Sequence, residues 1–323
     1  MWKVTNEINR PILSRYVDII NSMFMLFIEL SKSGTKDDDL EIENFLESKF
    51  TDDANLDSRL LNINKSGSDR IKPLIKDIIK LDTNILETQF DIYIHQNNEA
   101  IKNNYNIVPE VHPNCLVKIF KDYFYDKFFG VSWIWTDLVG KVYTRGMFKT
   151  NFKDENKIYV CPYCDSDTIS NERNAWIEHF LPKSKFPFLS CNYSNLIPSC
   201  TSCNVSGSGK GEEIRNPILN QYTTQIGDHL KFEFDKGEIT IVKNSNDSIE
   251  NFIELLKLRK RYSEKGVNNS ILTVLKVNYN TLLGAKDIGE FDEDIFFDFI
   301  HDTGRINGYY FVQKNLFEYI NEI

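Results

Sequence analysis

Two Cys-x-x-Cys pairs constrain the fold of this chain more than any other feature of its sequence. Cys161 and Cys164 form the first pair, and Cys200 and Cys203 form the second. Two such pairs supply four thiolates, which is a complete ligand set for a structural tetrahedral zinc site. Residues 165–199 lie between the pairs, a span longer than the roughly 15–20 residues of a plain zinc ribbon. The zinc site is therefore expected to enclose further structure.

The two remaining cysteines do not share this spacing. Cys115 and Cys191 are predicted to be buried or half-buried thiols, with Cys191 the better candidate for a spare zinc ligand. The alternative for the paired cysteines is that they too are ordinary buried thiols, which requires two pairs to coincide by chance. Zinc-spaced cysteines are typical of a reducing compartment, so we expect a cytoplasmic protein.

A short strand is predicted between the two pairs. The run from Trp176 to Phe180 is aromatic and β-branched, and Pro182 ends it. Glu178 and His179 are neighbours within this run. Adjacent side chains on a regular strand point to opposite faces, so these two serve one site only where the strand ends, twists or bulges. The alternative for His179 is a structural histidine without a chemical role.

Two asparagines complete a pattern with these residues. Asn195 lies in the turn-like sequence NYSNL, and Asn204 directly follows the second cysteine pair. The order Glu-His, Asn, Cys-x-x-Cys-Asn, with a Cys-x-x-Cys pair upstream, resembles that of the HNH endonucleases of the ββα-metal class. The resemblance is sharpest over residues 158–220, which contain EHFLPKSKFPFLS, NLIPSCTSCN and RNPILN. These stretches are similar to the small HNH nuclease subunits of bacterial anti-phage defence systems, both Septu-type and retron-associated.

This resemblance implies a role for each polar residue. His179 would be the general base, Glu178 and Asn204 would bind a catalytic divalent metal, and Asn195 would order the loop. The chain has Asn204 where many members of the family have a final histidine, which is a known variant. The resemblance also implies that the nuclease works beside an ATPase subunit.

The residue types themselves suit phosphodiester hydrolysis. A divalent cation neutralises the anionic phosphodiester and stabilises the departing alkoxide, while a base activates water. A histidine with an unperturbed pKa of about 6.5 is largely neutral at pH 7 and can accept that proton. Carboxylate and amide oxygens suit Mg²⁺ or Mn²⁺, whereas thiolates suit zinc. The sequence therefore predicts a structural Zn²⁺, a catalytic Mg²⁺ or Mn²⁺, and a nucleic acid substrate, with DNA favoured over RNA.

The charge distribution predicts weak binding of nucleic acid by the chain alone. The 323 residues carry a formal net charge of −9. Between residues 180 and 211 the only charges are Lys183, Lys185 and Lys210, which are candidate nucleic-acid contacts or else ordinary surface lysines. A nuclease that acts alone holds its substrate through many cationic contacts. We therefore predict a protein partner, in keeping with the ATPase subunit that the resemblance implies.

The rest of the chain is predicted to be mostly helical. Apolar residues recur at helical spacing in eight segments, residues 228–241 alternate as a β-hairpin around Asp-Lys-Gly, and residues 31–68 are polar and acidic. The predicted fold class is α+β, a mostly helical protein with an embedded zinc-stabilised ββα-metal core. The helical segments are residues 12–31, 71–81, 84–104, 116–129, 249–261, 274–283, 291–300 and 309–320. The predicted regions are a helical N-terminal region (1–150), the HNH nuclease core (151–225), and a hairpin with a helical C-terminal region (226–323).

Two short segments have alternative interpretations. The sequence Gly-Ser-Gly-Lys-Gly at 207–211 is predicted to be a flexible linker, with approach to a phosphate backbone as the alternative. The cations between Lys257 and Arg261 are predicted to lie in the last turn of a helix rather than on a phosphate, because cations there interact favourably with the helix dipole.

A different class of function remains open. A non-catalytic zinc-ribbon module that binds nucleic acid or protein would keep its zinc and show no turnover with Mg²⁺ or Mn²⁺. Hydrolysis by the zinc ion itself is disfavoured because four thiolates fill its coordination shell. Neither a run of 18 clean apolar residues nor a basic-then-apolar leader pattern is found, so no membrane span or secretion is predicted.

Overall fold

The mostly helical α+β class predicted from the sequence is confirmed. A computed structural model describes residues 1–34, 71–130, 135–136, 140–170, 174–284 and 293–319. Within these residues there are two small sheets of two strands each, and the chain packs as two units that are both discontinuous in sequence. We call them the cysteine unit (Met1–Thr5, Lys149–Glu178 and Ile197–Ile323) and the helical unit (Asn6–Phe148 and His179–Leu196).

The helical unit begins with the helices that the sequence predicts. Pro11 occupies the first turn of the helix Arg10–Ser33, and Gly34 ends that helix with a left-handed φ of 77°. The Asp82 side chain accepts a hydrogen bond from the N–H of Asn84 at 2.8 Å and caps the helix Thr83–Ile101. The predicted polar segment at 31–68 lies almost entirely outside the described residues. The elements are α1 (Arg10–Ser33), α2 (Ile71–Ile79), α3 (Thr83–Ile101), α4 (Asn114–Lys118), a π-helical segment (Ile119–Lys127) and a 3-10 turn (Phe128–Gly130).

An aromatic cluster forms the core of the helical unit. Phe24 of α1, Tyr93 of α3, Phe120 of the π-helical segment and Phe188 contact one another, with ring centroids 4.7–5.8 Å apart. All four side chains are buried, and each edge-on or tilted pair adds about 0.5–1.5 kcal/mol beyond the burial of its area. Phe188 belongs to the segment 179–196, so this cluster fixes that segment to the N-terminal helices.

The helix predicted at 116–129 is present but changes type along its length. It is α-helical in α4, π-helical over Ile119–Lys127 and 3-10 at its end. In a π-helix each backbone N–H donates to the carbonyl five residues earlier, whereas in an α-helix it donates to the carbonyl four residues earlier. The Tyr16 hydroxyl donates to the Phe124 carbonyl at 2.7 Å, so this carbonyl has a tertiary hydrogen-bond partner. Hydrophobic spacing alone does not distinguish the two helix types.

By length and composition, α1 is the one described helix that is apolar enough to cross a membrane. Its most apolar window has a mean hydropathy of 1.3, and 44% of that window is buried inside the protein. A core helix of a globular protein passes the same test, so this is weak evidence for a membrane span. Leu13, Phe24, Phe27 and Leu30 are at most 1% exposed, as expected of a core helix.

His112 is expected to give the unfolding free energy a measurable pH dependence. Its Nδ1 lies 2.7 Å from Oε1 of Gln89, its ring packs edge-on against Phe188, and burial lowers its pKa from 6.5 to about 4. Because the unfolded chain takes up this proton at higher pH, stability should fall as the pH drops from about 6.5 toward 4. In denaturant unfolding, His112→Gln should flatten this slope relative to wild type. Identical slopes would contradict the assignment.

The predicted strand and hairpin are both present. β1 (Ala175–His179) pairs with β2 (Leu196–Cys200), and α6 (Thr201–Asn204) follows directly. β3 (Phe232–Asp235) pairs antiparallel with β4 (Glu238–Ile241). The hairpin turn consists of Lys236 and Gly237, both at positive φ, as a tight two-residue turn requires. The cysteine unit also contains α5 (Arg145–Asn156) from Lys149 onward, α7 (Asp247–Leu255), α8 (Leu258–Ser263), α9 (Lys265–Gly284), α10 (Glu293–Asn307) and α11 (Tyr310–Leu316).

The helix predicted at 249–261 is interrupted. α7 ends at Leu255, and Lys257 adopts a left-handed φ of 53° before α8 starts. In α8, Arg259 lies 2.7 Å from a carboxylate oxygen of Glu250 and 2.5 Å from one of Glu254. Arg259, Lys260 and Arg261 therefore lie in a second short helix that begins after Lys257, and Arg259 holds that helix against α7.

The first residues of the chain pack in the cysteine unit. Trp2 is fully buried, its Nε1 donates to Oδ1 of Asp165 at 2.6 Å, and its backbone N–H donates to the Pro162 carbonyl at 3.1 Å. These contacts tie the start of the chain to the first cysteine pair.

The two units are defined by packing, whereas the predicted regions, with boundaries at residues 150 and 225, are defined by function. That functional division stays a prediction.

Candidate metal and catalytic site

Four buried sulfur atoms form the best-defined site of the structure. The Sγ atoms of Cys161, Cys164, Cys200 and Cys203 lie within 4.8 Å of one another, and each residue is at most 2% exposed. Thiolates at about 2.3 Å from a tetrahedral Zn²⁺ are separated by roughly 3.8 Å. The cluster therefore has the donor chemistry and the dimensions of a zinc site, as the spacing predicts.

Cys191 is not a member of this cluster. It belongs to the helical unit, whereas the four clustered cysteines belong to the cysteine unit. Burial raises the pKa of the Cys191 thiol to about 12. Cys191 is therefore a plain buried thiol, and the suggestion of a spare zinc ligand is wrong. Cys115 is half-buried, as predicted.

Backbone hydrogen bonds shape the two cysteine turns, which we call knuckles. In the first, the Asp165 N–H donates to the Cys161 carbonyl at 2.9 Å, and the Cys161 N–H donates to the Asp167 carbonyl at 2.8 Å. Asp165 has a φ of 55°, which turns the chain back after Cys164. In the second, Cys200 ends β2, and its N–H donates to Sγ of Cys161 at 3.3 Å. This last bond links the two knuckles.

The glycine segment at 207–211 packs on the second knuckle. The N–H of Gly209 donates to the Val205 carbonyl at 2.9 Å, and the N–H of Lys210 donates to the Cys203 carbonyl at 2.9 Å. A Cβ at Gly209 would overlap the backbone carbonyl of Cys203, so only glycine fits there. The prediction of a flexible linker is wrong. The segment is held by the knuckle and thereby positions Lys210.

Glu178 and Lys210 form a buried ion pair. Oε1 of Glu178 lies 2.6 Å from Nζ of Lys210, and the two side chains are 7% and 1% exposed. Nζ also donates to the Gly211 carbonyl at 3.2 Å. Burial of either charge alone is costly, so each side chain holds the other in place. Glu178, a predicted metal ligand, is thus paired with Lys210, a predicted nucleic-acid contact. The Lys210 ammonium is buried away from solvent.

His179 is held by two neighbours in the helical unit. Its Nε2 lies 3.0 Å from the Ser190 carbonyl oxygen, and its ring packs edge-on against Tyr125 with centroids 4.4 Å apart. A carbonyl oxygen only accepts hydrogen bonds, so Nε2 carries the hydrogen. In the neutral ring, the lone pair then belongs to Nδ1. The Ser190 contact therefore selects the tautomer in which Nδ1 is the basic nitrogen.

Asn195 connects two parts of the segment that follows β1. Its side-chain oxygen accepts from the Leu181 N–H at 2.7 Å, and its Nδ2 donates to the carbonyls of Leu181 and Leu189 at 3.0 and 3.2 Å. The residue is fully buried. These contacts are what a loop-ordering residue requires.

Asn204 ends α6 and is half-buried. Glu178, Asn204 and the clustered cysteines belong to the cysteine unit, whereas His179 and Asn195 belong to the helical unit. The structure thus brings the four predicted zinc ligands together, pairs Glu178 with Lys210, and gives His179 and Asn195 partners within their own unit. The catalytic roles of these residues stay predictions.

The helical unit carries positive charge beside an aromatic ring. Lys183 Nζ lies 2.5 Å from Oδ1 of Asp126 and 4.6 Å from the centroid of the Tyr125 ring. The Arg145 guanidinium lies 5.0 Å from the same centroid. Lys185 is half-buried. Lys183 and Lys185 are therefore partly exposed to solvent, whereas Lys210, the third predicted nucleic-acid contact, is buried.

Sequence reasoning did not identify Arg261 as a neighbour of the four-cysteine cluster. Its Nη1 lies 3.1 Å from Sγ of Cys203 and 3.8 Å from Sγ of Cys200, and the residue is 7% exposed. Arg261 follows the buried Leu258 by three positions in α8, so the two share a helix face. The three-residue spacing between Leu258 and Arg261 is the sequence signal that could have indicated a buried cation between Lys257 and Arg261.

Comparison with known proteins gives partial similarities. The chain is 35% identical over 71 residues to Septu protein PtuB of Bacillus thuringiensis, which covers 22% of this chain and 27% of that protein. It is 32% identical over 83 residues to protein ea31 of Escherichia phage lambda, a match that also covers 22% of this chain and 27% of that protein. The chain thus spans about a quarter of the length of these curated relatives. No family model and no solved structure matches.

Proposed function

We propose that this protein is a metal-dependent HNH-type endonuclease that hydrolyses nucleic acid, with DNA favoured, in defence against bacteriophage. The observation that carries the proposal is the pair of neighbouring ionisable residues Glu178 and His179, each 6% exposed, at the end of β1. A carboxylate can bind a divalent ion and an imidazole can act as a general base, so this pair has the side chains that the proposed reaction requires. The partial similarity to Septu protein PtuB supports the defence role.

In the proposed reaction, His179 takes a proton from the water that attacks the phosphodiester. The bond from Nε2 to the Ser190 carbonyl keeps Nδ1 basic, and the Tyr125 ring restrains the imidazole plane. A positioned general base contributes typically 10²–10⁴-fold to the rate. Asn195 acts as a positioning residue, because it fixes the backbone at Leu181, just beyond His179.

Glu178 and Asn204 are the residues proposed to hold Mg²⁺ or Mn²⁺, which would neutralise charge on the phosphodiester. Carboxylate and amide oxygens have the right chemistry for a hard ion. The cation that faces Glu178 in the structure is the Lys210 ammonium at 2.6 Å. A divalent ion at Glu178 would therefore share the carboxylate with Lys210 or displace it.

Replacement of Glu178 alone is expected to damage folding as well as catalysis. Glu178→Gln leaves the Lys210 ammonium buried without its carboxylate, which costs about 3–5 kcal/mol. Glu178→Gln combined with Lys210→Met removes both charges and should recover most of that free energy. Denaturant unfolding of the wild type, both single variants and the double variant measures these differences.

The double variant also separates two explanations for lost cleavage. If Glu178 is a metal ligand, the double variant stays inactive even though it is stable. If Glu178 is only structural, cleavage returns with stability, and the metal role is overturned. Lys210→Met alone is the control for a direct effect of the lysine on cleavage.

A protein partner is proposed to strengthen the hold on nucleic acid. The chain has a formal net charge of −9, and Lys210, Arg259 and Arg261 are engaged with internal anionic groups. Affinity that rests on a few phosphate contacts is weak and is lost at modest salt. The HNH resemblance implies that this partner is an ATPase subunit, and we place both in the cytoplasm.

The second candidate function is a zinc-stabilised binding module without catalysis. The buried four-cysteine cluster supports this function as well as it supports a nuclease. Such a module would bind nucleic acid or protein and would cleave nothing, whatever the divalent ion or the partner.

A further inference from the structure

We propose that α8 forms the outer shell of the zinc site and that the Arg261 guanidinium compensates the negative charge of the four thiolates. The inference rests on the zinc ligands assigned above. Arg261 lies 61 residues beyond Cys200 in the sequence. It nevertheless contacts the second knuckle, and its neighbour Tyr262 contacts the first.

The sulfur atoms are the anionic partners of Arg261. Its Nη1 donates to Sγ of Cys203 at 3.1 Å, with Sγ of Cys200 at 3.8 Å. The buried Nη2 forms no hydrogen bond. A guanidinium stays protonated in proteins, so its burial requires negative charge nearby. Arg259 of the same helix pairs with the Glu250 carboxylate instead, so the two arginines have different tasks.

Tyr262 anchors α8 to the first knuckle. Its hydroxyl donates to the Cys164 carbonyl at 2.7 Å, and the residue is fully buried. Asn268 donates to the Tyr262 carbonyl and accepts from the Ile239 N–H of β4, both at 2.6 Å. One short helix therefore contacts both knuckles and is itself fixed to the hairpin.

The charge of a filled site explains why a cation is needed there. Four thiolates carry twice the charge that one Zn²⁺ neutralises, and a buried excess of negative charge is costly. One guanidinium offsets half of that excess, and its N–H donors stabilise the thiolate form of the ligands. Loss of such an outer-shell partner typically weakens metal binding by about 10–100-fold.

The test measures zinc release from the full chain rather than cleavage. Purified proteins are mixed with an excess of a chromophoric chelator, and zinc transfer is followed by absorbance. Arg261→Gln keeps N–H donors without the charge and should release zinc about 10–100-fold faster than wild type. Arg261→Lys keeps the charge and should release at an intermediate rate. Lys260→Gln removes an exposed cation of the same helix, so it is the matched control and should release zinc at the wild-type rate.

Release from Arg261→Gln at the wild-type rate would overturn the proposal. Equal acceleration by Lys260→Gln would do so as well, because loss of any cation from α8 would then suffice. Equal release rates for Arg261→Lys and Arg261→Gln would rule out the charge of Arg261 as the cause. If Arg261→Gln is insoluble, Arg261→Lys carries the test, and an unchanged rate counts against the guanidinium contact. A wild-type protein without zinc would instead refute the ligand assignment itself.

Discussion

Cys200→Ser is expected to lose the zinc and much of the folded cysteine unit. Cys200 ends β2, its Sγ lies 3.8 Å from that of Cys164, and its N–H donates to Sγ of Cys161. Zinc-finger peptides bind structural zinc with apparent free energies of about 10–16 kcal/mol, comparable to the whole stability of a domain. Elemental analysis should find one zinc per wild-type chain and far less in the variant. The variant should also be poorly soluble.

Cys115→Ser is the matched control for this prediction. It is the same substitution at a half-buried cysteine outside the four-cysteine cluster. We expect this control to keep one zinc and the circular dichroism spectrum of the wild type. Full zinc content in Cys200→Ser would show that the cluster is not the zinc site.

His179→Ala is expected to lower cleavage by roughly 10²–10⁴-fold, the usual contribution of a general base. Zinc content should not change, because His179 is not one of the clustered ligands. The alanine variant also loses the hydrogen bond to Ser190 and the contact with Tyr125. His179→Gln offers an amide N–H to the Ser190 carbonyl but no basic nitrogen, and we expect it to be stable and equally inactive. Initial rates of cleavage measure both variants.

A second histidine of the helical unit controls for packing. His112 also packs edge-on against an aromatic ring, that of Phe188, and pairs with Gln89. His112→Ala should therefore lose stability yet cleave at a rate close to that of the wild type. Cleavage by His179→Gln at the wild-type rate would eliminate the general-base role.

The features that the sequence predicts well are local ones. The spacing of Cys161 and Cys164, and of Cys200 and Cys203, follows from the tight turns that present two thiolates to one ion. The hairpin around Lys236-Gly237 is likewise determined by a few neighbouring residues. For this reason, the four-cysteine cluster and the hairpin are recognisable without any knowledge of tertiary packing.

The features that the sequence does not reveal depend on contacts between distant segments. The charge pattern around Lys210 suggested an exposed cation, because the carboxylate of Glu178 is distant in sequence. Arg261 reaches the four-cysteine cluster only because α8 packs on the knuckles. Trp2 joins the first knuckle through Asp165, a pairing that no local pattern encodes. Burial of charged and aromatic side chains is thus decided by tertiary structure.

The most direct test of the nuclease assignment is a cleavage assay with zinc-loaded protein and added Mg²⁺ or Mn²⁺. Single-stranded and double-stranded DNA and RNA are offered at low salt, with and without the proposed ATPase subunit, and His179→Ala is assayed in parallel. We expect cleavage that requires the divalent ion and is lost in His179→Ala. A zinc-loaded protein that binds nucleic acid but cleaves none of these substrates, even with the partner, would contradict the assignment and favour the binding module.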